Sequence, residues 1–177
     1  MGYMIIGLSG YARSGKNTVA DILGEQYRQV SFAEPMREIL LIQNPIIGLD
    51  TGMEVTVVEA VGRLGWDGAK STYPEVRRHL QVLGTEVGRE MFGQDFWVHM
   101  AIKGIKPTDN VVFTDVRFMN EVIAIKNMGG EVWRINREGV EAVNAHVSET
   151  SLDKWLFNRV INNNGTLNDL RVQILGG

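Results

Sequence analysis

Residues 4–20 of the 177-residue chain read MIIGLSGYARSGKNTVA and contain its most informative local pattern. It begins with an apolar run of the length of a buried strand and acquires helical character from Lys16 onward. Between the two lie Gly10 and Gly15, in the spacing Gly-x-x-x-x-Gly-Lys that is typical of a phosphate-binding loop. Glycine is needed there because a side chain would block the approach of backbone N–H groups to phosphate oxygens. The pattern therefore predicts a strand, a phosphate-binding loop and a helix whose N-terminus faces the same anion.

The residue after the loop lysine departs from the usual pattern. Most such loops have Ser or Thr at this position, where the hydroxyl binds Mg²⁺, but this chain has Asn17 followed by Thr18. We expect Lys16 to supply positive charge to the β- and γ-phosphates of a bound nucleotide. Phosphate binding is thus predicted, whereas the residues that hold the metal are left open.

Composition narrows the class of protein further. The chain carries a net charge of −3, which argues against a general nucleic-acid-binding protein with its basic surface. It contains no cysteine, so neither a disulfide framework nor a thiolate metal site is expected. No apolar run has membrane-spanning length and no secretory signal is visible, so we expect no membrane association and a cytoplasmic location. The length predicts one domain over residues 1–177.

Strand and helix patterns alternate along the chain, which predicts an α/β fold in three layers, a five-stranded parallel sheet with helices on both faces. The predicted strands are residues 4–8, 29–32, 111–115, 131–135 and 159–161, and the predicted helices are residues 16–26, 35–43, 54–64, 74–92, 95–103, 120–128, 152–157 and 167–175. Residues 48–52 and 65–68 are predicted breaks, residues 139–147 a variable segment, and residues 35–105 a helical, substrate-binding insertion. Ligands of such sheets lie beyond the carboxyl ends of the strands, where Gly10, Asp115 and Asn162 are expected to converge.

The longest predicted helix, residues 74–92, has an apolar face and a polar stripe beside it. At about 100° per residue the stripe contains Arg77, Gln81, Gly84 and Thr85, with Arg78 at its edge. A solvated helix face is one interpretation, because arginines on helices usually lie in solvent. A binding site for an anion that carries a polar ring is the other, since it would use paired arginines, an amide and the gap at the glycine. The sequence alone leaves both interpretations open.

The predicted strand Val-Val-Phe-Thr-Asp ends in a carboxylate, that of Asp115. In phosphate-loop folds an acid at such a strand end lies beside the metal and the phosphates, which is the functional interpretation. The alternative is an aspartate that caps the next helix. Arg117, two residues later, is expected either to reach a phosphate or to form an ion pair with Asp115.

Several segments together resemble the bacteriophage-type deoxynucleoside monophosphate kinases, which belong to the adenylate-kinase-like branch of the P-loop NTPase fold. The matching segments span nearly the whole chain in order and read GLSGYARSGKNTVA, VSFAEPMREIL, GWDGAK, VRRHLQVLGTEVGREMFGQDFWV, VVFTDVRFMNE, GGEVWRI, HVSETSLD and VINNNGTLNDL. The Gln-x-x-Gly-Thr-Glu and Asp-Phe-Trp-Val pieces among them are far more specific than the phosphate-binding loop.

The resemblance implies transfer of the γ-phosphate of ATP to deoxynucleoside 5′-monophosphates in deoxynucleotide biosynthesis, with ATP and Mg²⁺ as cofactors. By position, the implied ATP site consists of Gly10, Arg13, Ser14, Gly15, Lys16, Asn17, Thr18 and Asn163. The implied acceptor site consists of Arg77, Arg78, Gln81, Gly84, Thr85, Trp97, Asp115, Arg117 and Glu121. Of these residues, Lys16, Arg13, Asp115 and Arg117 would be catalytic, and Asn17, Thr18 and Asp115 would hold the metal.

Position 17 is a departure from the family pattern, because relatives often carry Asp there and the neutral amide of Asn17 is a weaker ligand for Mg²⁺. The expected partners are small nucleotides and not a nucleic-acid polymer. A phage-encoded chain would act in the host cytoplasm. The oligomeric state is left open, with a homodimer among the options.

Two alternative functions and one alternative residue role are also open. The first function is that of another small-molecule kinase of this fold, acting on dephospho-coenzyme A or phosphomevalonate. The second is that of a nucleotide-binding switch without phosphate transfer, although the guanine-reading pattern Asn-Lys-x-Asp does not occur in the sequence. Trp97 is expected either to pack against C2′ of the deoxy sugar or to anchor the core of the insertion.

Overall fold

The computed structural model of the chain describes residues 4–106, 108–141 and 151–176. The chain divides into two compact units: Met1–Phe32 with Ile102–Gly177, which we call the sheet unit, and Ala33–Ala101, which we call the helical unit. The predicted variable segment, residues 139–147, lies mostly outside the described residues. None of the described helices is long and apolar enough to cross a membrane.

The described elements are numbered here in chain order. The strands are β1 (Ile5–Ser9), β2 (Arg28–Val30), β3 (Ile46–Asp50), β4 (Met53–Thr56), β5 (Val111–Val116), β6 (Glu131–Asn136) and β7 (Arg159–Asn162). The helices are α1 (Lys16–Leu23), α2 (Glu34–Gln43), α3 (Val57–Thr72), α4 (Pro74–Gln81), α5 (Phe96–Ile102), α6 (Met119–Asn127) and α7 (Leu167–Leu175). A π-helix, Val82–Met91, continues α4.

The sheet unit contains a five-stranded sheet in the order β2-β5-β1-β6-β7, in which all neighbouring strands are parallel. β1 is the central strand: Ile6 pairs with Val112 of β5 on one side and with Glu131 of β6 on the other. All five residues of β1 are buried, as expected of a parallel strand covered on both faces. The predicted five-stranded parallel sheet is therefore confirmed.

Helices cover both faces of this sheet. On one face, a single core cluster joins β1 to α1 and α7, and its members include Ile6, Leu8, Val19, Leu23, Leu170 and Ile174. On the other face Gly7 leaves room for α6, because a Cβ at Gly7 would lie 2.5 Å from Cδ1 of Ile125. Alternate residues of β1 thus contact different helical layers, and the predicted three-layer arrangement is confirmed.

Local signals explain which helix ends were predicted well. α7 has the predicted bounds because Thr166 caps it: its hydroxyl accepts a hydrogen bond from Asp169 N (3.3 Å), and the Asp169 carboxylate accepts one from Thr166 N (2.8 Å). α1 ends at Leu23 rather than at residue 26, since Gly24 has a φ of 89°. The predicted helix at residues 152–157 is wrong; it forms only a turn, because so short a segment gains too few hydrogen bonds to offset helix nucleation.

The helical unit contains a β-hairpin that the sequence does not reveal. The hairpin consists of the antiparallel strands β3 and β4. It includes residues 48–52, which are predicted as a loop, and residues 54–56, which are predicted as the start of a helix. Thr51 and Gly52 turn the chain with φ values of 52° and 85°, and positive φ at both central residues is typical of tight hairpins. Thr-Gly is a weak signal for such a turn, so both predictions are wrong and α3 begins only at Val57.

α3 is kinked, and not ended, by the predicted break at residues 65–68. Gly65 has a φ of 67° and a ψ of 173°, outside the helical region, but residues 66–72 are helical again. The break is therefore confined to one glycine. As a result, Trp66 and Lys70 lie one turn apart on the same side of the second half of α3.

The predicted helix at residues 74–92 is an α-helix only over its first part, α4, and a π-helix over the rest. In an α-helix the carbonyl of Gly84 would accept a hydrogen bond from the N–H of Gly88, but here the indole N–H of Trp97 donates to Gly84 O at 3.0 Å. The two glycines also weaken the α-helical preference of the stretch. Because a π-helix turns less per residue, Gly84 and Thr85 are shifted from the stripe that a 100° period predicts.

Candidate active site: a phosphate-binding loop and a polar helix surface

The loop between β1 and α1 can be built only with glycine at its two ends. Gly10 has a φ of 147°, and a Cβ there would lie 2.4 Å from the carbonyl oxygen of Ile135 and 2.8 Å from Ser14 Oγ. Gly15 has a φ of 102°, and a Cβ there would lie 2.3 Å from Nδ2 of Asn163. The loop therefore packs tightly against the carboxyl ends of β6 and β7.

The N-terminus of α1 is open toward this loop. Gly15 occupies the N-cap position and supplies no side-chain cap, so the first N–H groups of α1 are not capped by it. Ser14 lies beside them with only 1% of its surface exposed, and its Oγ forms no hydrogen bond to any residue in the described part of the chain. Buried hydroxyls are nearly always hydrogen-bonded. An orphan hydroxyl next to a positive helix end is the arrangement that a bound phosphate group would complete.

Lys16 lies across the mouth of the loop. Its ammonium group donates hydrogen bonds to the carbonyl oxygens of Gly10 (2.8 Å) and Tyr11 (2.9 Å). Arg13 is exposed at the tip of the loop with a φ of 65°, a conformation that costs a non-glycine residue about 1–3 kcal/mol and is concentrated at functional sites. The loop thus presents two cations of different kinds, one fixed to the backbone and one exposed.

Asn163, predicted in the ATP site, contacts the loop itself. Its Nδ2 donates to Ser14 O at 2.9 Å, while its backbone N donates to Asn136 O at 2.8 Å. The side chain therefore joins the end of β7 to the phosphate-binding loop. In this structure Asn163 positions the loop, and direct contact with ATP stays a prediction.

Asp115 connects the ends of two neighbouring strands. Its Oδ2 accepts a hydrogen bond from the hydroxyl of Ser31 (2.6 Å), and its Oδ1 accepts one from the backbone N of Phe32 (2.8 Å). These contacts fix the carboxylate at the carboxyl end of the sheet, where ligands of parallel α/β folds bind. The predicted placement of Asp115 at a strand end is confirmed, since β5 runs to Val116; its catalytic role stays a prediction.

The carboxylate of Glu121 caps α6. Its Oε2 accepts hydrogen bonds from the backbone N atoms of Arg117 (2.6 Å) and Phe118 (3.0 Å), and the residue is buried. The carbonyl oxygen of Arg117 accepts a further bond from the Ser151 hydroxyl. The backbone at Arg117 is thus held on both sides. The predicted contacts of Arg117 and Glu121 with the acceptor stay predictions.

The predicted metal ligands have suitable chemistry for Mg²⁺. Asn17 and Thr18 lie in the first turn of α1 and, with Asp115, offer one carboxylate and two neutral oxygens. Kinases typically bind Mg²⁺ through one or two carboxylates together with water and substrate phosphates. Within residues 4–106, 108–141 and 151–176, no three His, Asp or Glu side chains form a group that could hold a metal ion.

Sequence analysis missed a buried arginine behind the loop. Arg134 in β6 donates to Asp153 Oδ1 at 3.0 Å, and its guanidinium lies 4.7 Å from the ring centre of Tyr11 and 5.6 Å from that of Phe157. The Tyr11 hydroxyl also donates to Asp153, at 3.0 Å, and burial together with this carboxylate raises the pKa of Tyr11. The network ties Tyr11 of the phosphate-binding loop to Asp153 and Phe157. The signal that could have revealed it is a charged residue between the apolar residues Trp133 and Ile135 of β6.

In the helical unit, the two predicted arginines point to different partners. Arg77 Nε donates to the backbone carbonyl of Lys70 at 2.9 Å, whereas Arg78 Nε forms an ion pair with Glu75 at 2.6 Å. The pair of Arg78 with Glu75 resembles an ordinary solvated helix contact, and the anion-binding role of both arginines stays a prediction. Gln81 and Thr85 are both exposed, and their predicted roles in the acceptor site are not tested by these contacts.

Trp97 packs against the π-helix at Gly84 and Gly88 through its indole nitrogen. Its indole N–H donates to Gly84 O at 3.0 Å, the residue is buried, and a Cβ at Gly88 would lie 2.1 Å from its Nε1. A Cβ at Gly84 would lie 3.0 Å from Sδ of Met36, so the predicted gap there is adjoined by a side chain of α2. This geometry favours the interpretation of Trp97 as an anchor. Its contact with the sugar stays a prediction.

We expect Gly88→Ala to lower the free energy of unfolding by about 1–3 kcal/mol or more, because the added methyl group would collide with a buried indole. Gly62→Ala is the matched control: Gly62 also lies in a helix, but a Cβ there meets nothing within 4 Å. This control should gain about 0.4–1 kcal/mol. Urea denaturation of both variants measures the difference. Equal stability of the two variants would show that the Trp97 indole does not pack directly against Gly88.

The fold and the loop together define the class of this protein. A parallel α/β sheet carries at its carboxyl end a glycine cradle, a loop lysine and an uncapped helix N-terminus. This combination is that of a P-loop nucleotide-binding protein.

Comparison with known protein families assigns the chain to one family within this class. A family model described as deoxynucleotide monophosphate kinase matches residues 68–174, more than half of the chain. The chain therefore belongs to the deoxynucleotide monophosphate kinase family, and the predicted resemblance is confirmed.

Curated relatives are similar in sequence over different lengths. A protein of Acanthamoeba polyphaga mimivirus with the provisional name deoxynucleotide monophosphate kinase is 29% identical, with 97% of this chain and 94% of the relative covered. The deoxynucleotide monophosphate kinase of Escherichia phage RB69 is 31% identical over 56% of this chain and 43% of its own length. The deoxynucleoside-5′-monophosphate kinase of Escherichia phage T5 is 28% identical over 67% of this chain and 70% of its own length.

Two solved structures are similar to the chain over nearly its full length, but their sequence identities and TM-scores are low. The dephospho-CoA kinase from Campylobacter jejuni is 14% identical with a TM-score of 0.45, covering 97% of this chain and 94% of that chain. The protein TT1252 from Thermus thermophilus is 19% identical with a TM-score of 0.42, covering 99% and 96%.

Proposed function

We propose that this chain transfers the γ-phosphate of ATP to deoxynucleoside 5′-monophosphates, giving ADP and deoxynucleoside diphosphates. The observation that carries the proposal is the phosphate-binding loop in a member of the deoxynucleotide monophosphate kinase family. This loop contains a lysine and a buried Ser14 hydroxyl that has no hydrogen-bond partner among the described residues. Relatives named for this activity support it. The cytoplasmic location and the small-nucleotide partners stay predictions, and the oligomeric state stays open.

Phosphate transfer needs little covalent chemistry from the protein; it needs two polyanions held in line and their repulsion neutralised. Lys16 and Arg13 would act on ATP, with Ser14 and the N–H groups of α1 as donors to its phosphates. Arg117 would act on the transferred group. A general base is not required, because the attacking phosphate is already a dianion near neutral pH.

Mg²⁺, when bound, would supply positive charge to the phosphates of ATP. Asn17 and Thr18 from α1 and the carboxylate of Asp115 would hold it. Asp115 is itself oriented by Ser31 and the backbone of Phe32. These contacts would keep its carboxylate in one place whether or not the ion is present.

An ADP-release assay on the intact protein tests the proposal. ATP is supplied together with dAMP, dCMP, dGMP or dTMP, and in parallel with dephospho-coenzyme A or phosphomevalonate. Release that depends on at least one deoxynucleoside monophosphate supports the proposal. Release with only the other two acceptors would replace it with the alternative kinase function, and nucleotide binding without acceptor-dependent release would favour a switch.

Asn17→Asp is expected to lower the Mg²⁺ concentration that gives half-maximal rate. A carboxylate binds Mg²⁺ more strongly than an amide oxygen, and Asn17 lies in the first turn of α1 beside the loop. The measurement is a Mg²⁺ titration of the initial rate at saturating ATP and acceptor. Asn17→Ala serves as the control for loss of the amide. An unchanged or higher Mg²⁺ requirement in Asn17→Asp would place this residue outside the metal's ligands.

A further inference from the structure

Arg134 is a charged residue in a buried position of the five-stranded sheet, beside the phosphate-binding loop. It pairs with Ser9, the last residue of β1, and only 9% of its surface is exposed. Trp133 and Ile135 belong to the core cluster that contacts α1 and α7, so Arg134, which alternates with them, lies on the opposite face of the sheet. A buried ion pair adds little net stability, because both charges lose their water. The place of Arg134 at the loop therefore indicates a role in orientation rather than in stability.

Asp153 joins Arg134 to Tyr11, and we call these three residues the support network. Asp153 Oδ1 accepts a hydrogen bond from Nη2 of Arg134, and its Oδ2 accepts one from the hydroxyl of Tyr11, both at 3.0 Å. The guanidinium of Arg134 also lies 4.7 Å from the centre of the Tyr11 ring. Each member thus contacts the other two. The side chain of Tyr11 is therefore held both at its ring and at its hydroxyl.

The backbone of Tyr11 carries this constraint to Lys16. The carbonyl oxygen of Tyr11 accepts hydrogen bonds from the ammonium group of Lys16 at 2.9 Å and from the backbone N of Ser14 at 3.2 Å. The same ammonium group donates to Gly10 O at 2.8 Å. A displacement of Tyr11 would therefore move an acceptor that holds the lysine, together with the turn of the loop that contains Ser14.

We propose that Arg134 and Asp153 are positioning residues: they fix Tyr11, whose carbonyl oxygen sets the place of the Lys16 ammonium group at the phosphates of ATP. The inference rests on the proposed function, and sequence analysis assigns no role to either residue. A charge that is already in place stabilises a transition state more than one that must first be oriented. The support network gives Lys16 this advantage from behind the loop.

Asp153→Asn is the principal variant, because it keeps the shape of the side chain and removes the negative charge that Arg134 and Tyr11 share. We expect kcat for ADP release to fall about 10- to 100-fold, since a misplacement of about 1 Å at a reacting group costs up to about 100-fold. In isothermal titration of the intact protein, ATP should bind about 5- to 10-fold more weakly, the scale of one weakened hydrogen bond. Adenosine, which has no phosphate, should bind as it does to the wild type.

A double-mutant cycle with Lys16→Ala distinguishes positioning from a structural role. If Asp153 acts through Lys16, Asp153→Asn should lower kcat and ATP affinity by less than about twofold once Lys16 is absent. A structural role predicts the same loss in both backgrounds, because the two effects are then independent. Tyr11→Phe removes only the hydroxyl and tests the same route if Asp153→Asn does not fold. It should lower kcat about fivefold or more, the scale of one lost hydrogen bond.

Arg134→Lys and Arg159→Lys form a matched pair. Both arginines belong to the five-stranded sheet and lie over an aromatic ring, Arg159 at 4.9 Å from the ring centre of Trp133. Arg159 begins β7, at the opposite end of the sheet from the loop, and donates to carbonyl oxygens in the last turn of α7. We expect Arg134→Lys to lower kcat about 10-fold, because lysine lacks the planar group that bonds Asp153 and stacks on Tyr11 at once. Arg159→Lys should leave kcat unchanged.

Wild-type kcat and ATP affinity in both Asp153→Asn and Tyr11→Phe would overturn the proposal. Equal losses with and without Lys16 would overturn it as well, by assigning the support network to the stability of the fold. Failure of the proposed function has a different signature. In that case the wild type would release no ADP with any deoxynucleoside monophosphate, while the cycle in ATP affinity would still decide whether Asp153 acts through Lys16.

Discussion

Lys16→Ala is expected to keep the fold and to lower kcat at least about 100-fold, the scale for losing one preorganised electrostatic partner of a transition state. The ammonium group of Lys16 is held at the loop by the carbonyl oxygens of Gly10 and Tyr11, at 2.8 and 2.9 Å. Alanine removes this charge from the place where the phosphates of ATP are proposed to bind. ADP release, measured with a monophosphate that the wild type accepts, gives the size of the effect.

The control for this variant is Lys103→Ala, which removes an exposed lysine of the sheet unit. Both variants lose one positive charge, so a general change in net charge affects them equally. We expect wild-type turnover from Lys103→Ala and wild-type melting temperatures from both. Near-normal turnover in Lys16→Ala would remove Lys16 from the mechanism.

Gly10→Ala is expected to weaken ATP binding about 10-fold or more. The new Cβ would lie 2.4 Å from the carbonyl oxygen of Ile135 and 2.8 Å from Ser14 Oγ, so the loop must move. Ile135 belongs to β6, which is paired on both sides, so the strand cannot yield instead. Each charge-assisted hydrogen bond lost from the phosphates costs about 1.5–3 kcal/mol, or roughly a 10- to 150-fold change in Kd. Isothermal titration with ATP measures the change.

Gly129→Ala separates loop displacement from general backbone strain. Gly129 also has a positive φ, 78°, but a Cβ there would meet nothing within 4 Å. It precedes β6 and therefore lies at the opposite end of this strand from the loop. We expect this variant to lose stability and to bind ATP like the wild type. Equal ATP affinities in the two variants would contradict the assignment of Gly10 to the ATP site.

Local sequence signals account for most of what could be predicted about the sheet unit. The glycine spacing at positions 10 and 15, the apolar run of β1 and the capping box at Thr166 each act within a few residues. Such signals determine short elements without information from the rest of the chain. The alternating order of strands and helices then leaves few topologies to choose from.

The structural features that sequence analysis did not predict share a different physical cause, because they depend on contacts between residues that are distant in the sequence. The π-helix accepts a hydrogen bond at Gly84 O from Trp97, and Arg37 of α2 lies over the ring of Trp66 in α3. No periodicity in a single helix can reveal such contacts. Arg134 is an intermediate case, since the sequence shows its charge between the apolar residues Trp133 and Ile135 but does not show its pairing with Asp153.

The position of β1 at the centre of the sheet has a consequence for folding. β1 leaves the ribosome long before both of its neighbours in the sheet, since Ile5 pairs with Val111 and Ile6 with Glu131. Until β5 and β6 are synthesised, neither edge of the apolar strand β1 can form the hydrogen bonds that it forms in the described sheet. Pairings of such long sequence separation form slowly and leave hydrophobic strands open to aggregation in the meantime. Nascent chains that stall before Val111 should therefore depend on chaperones, whereas chains that have released β6 should not.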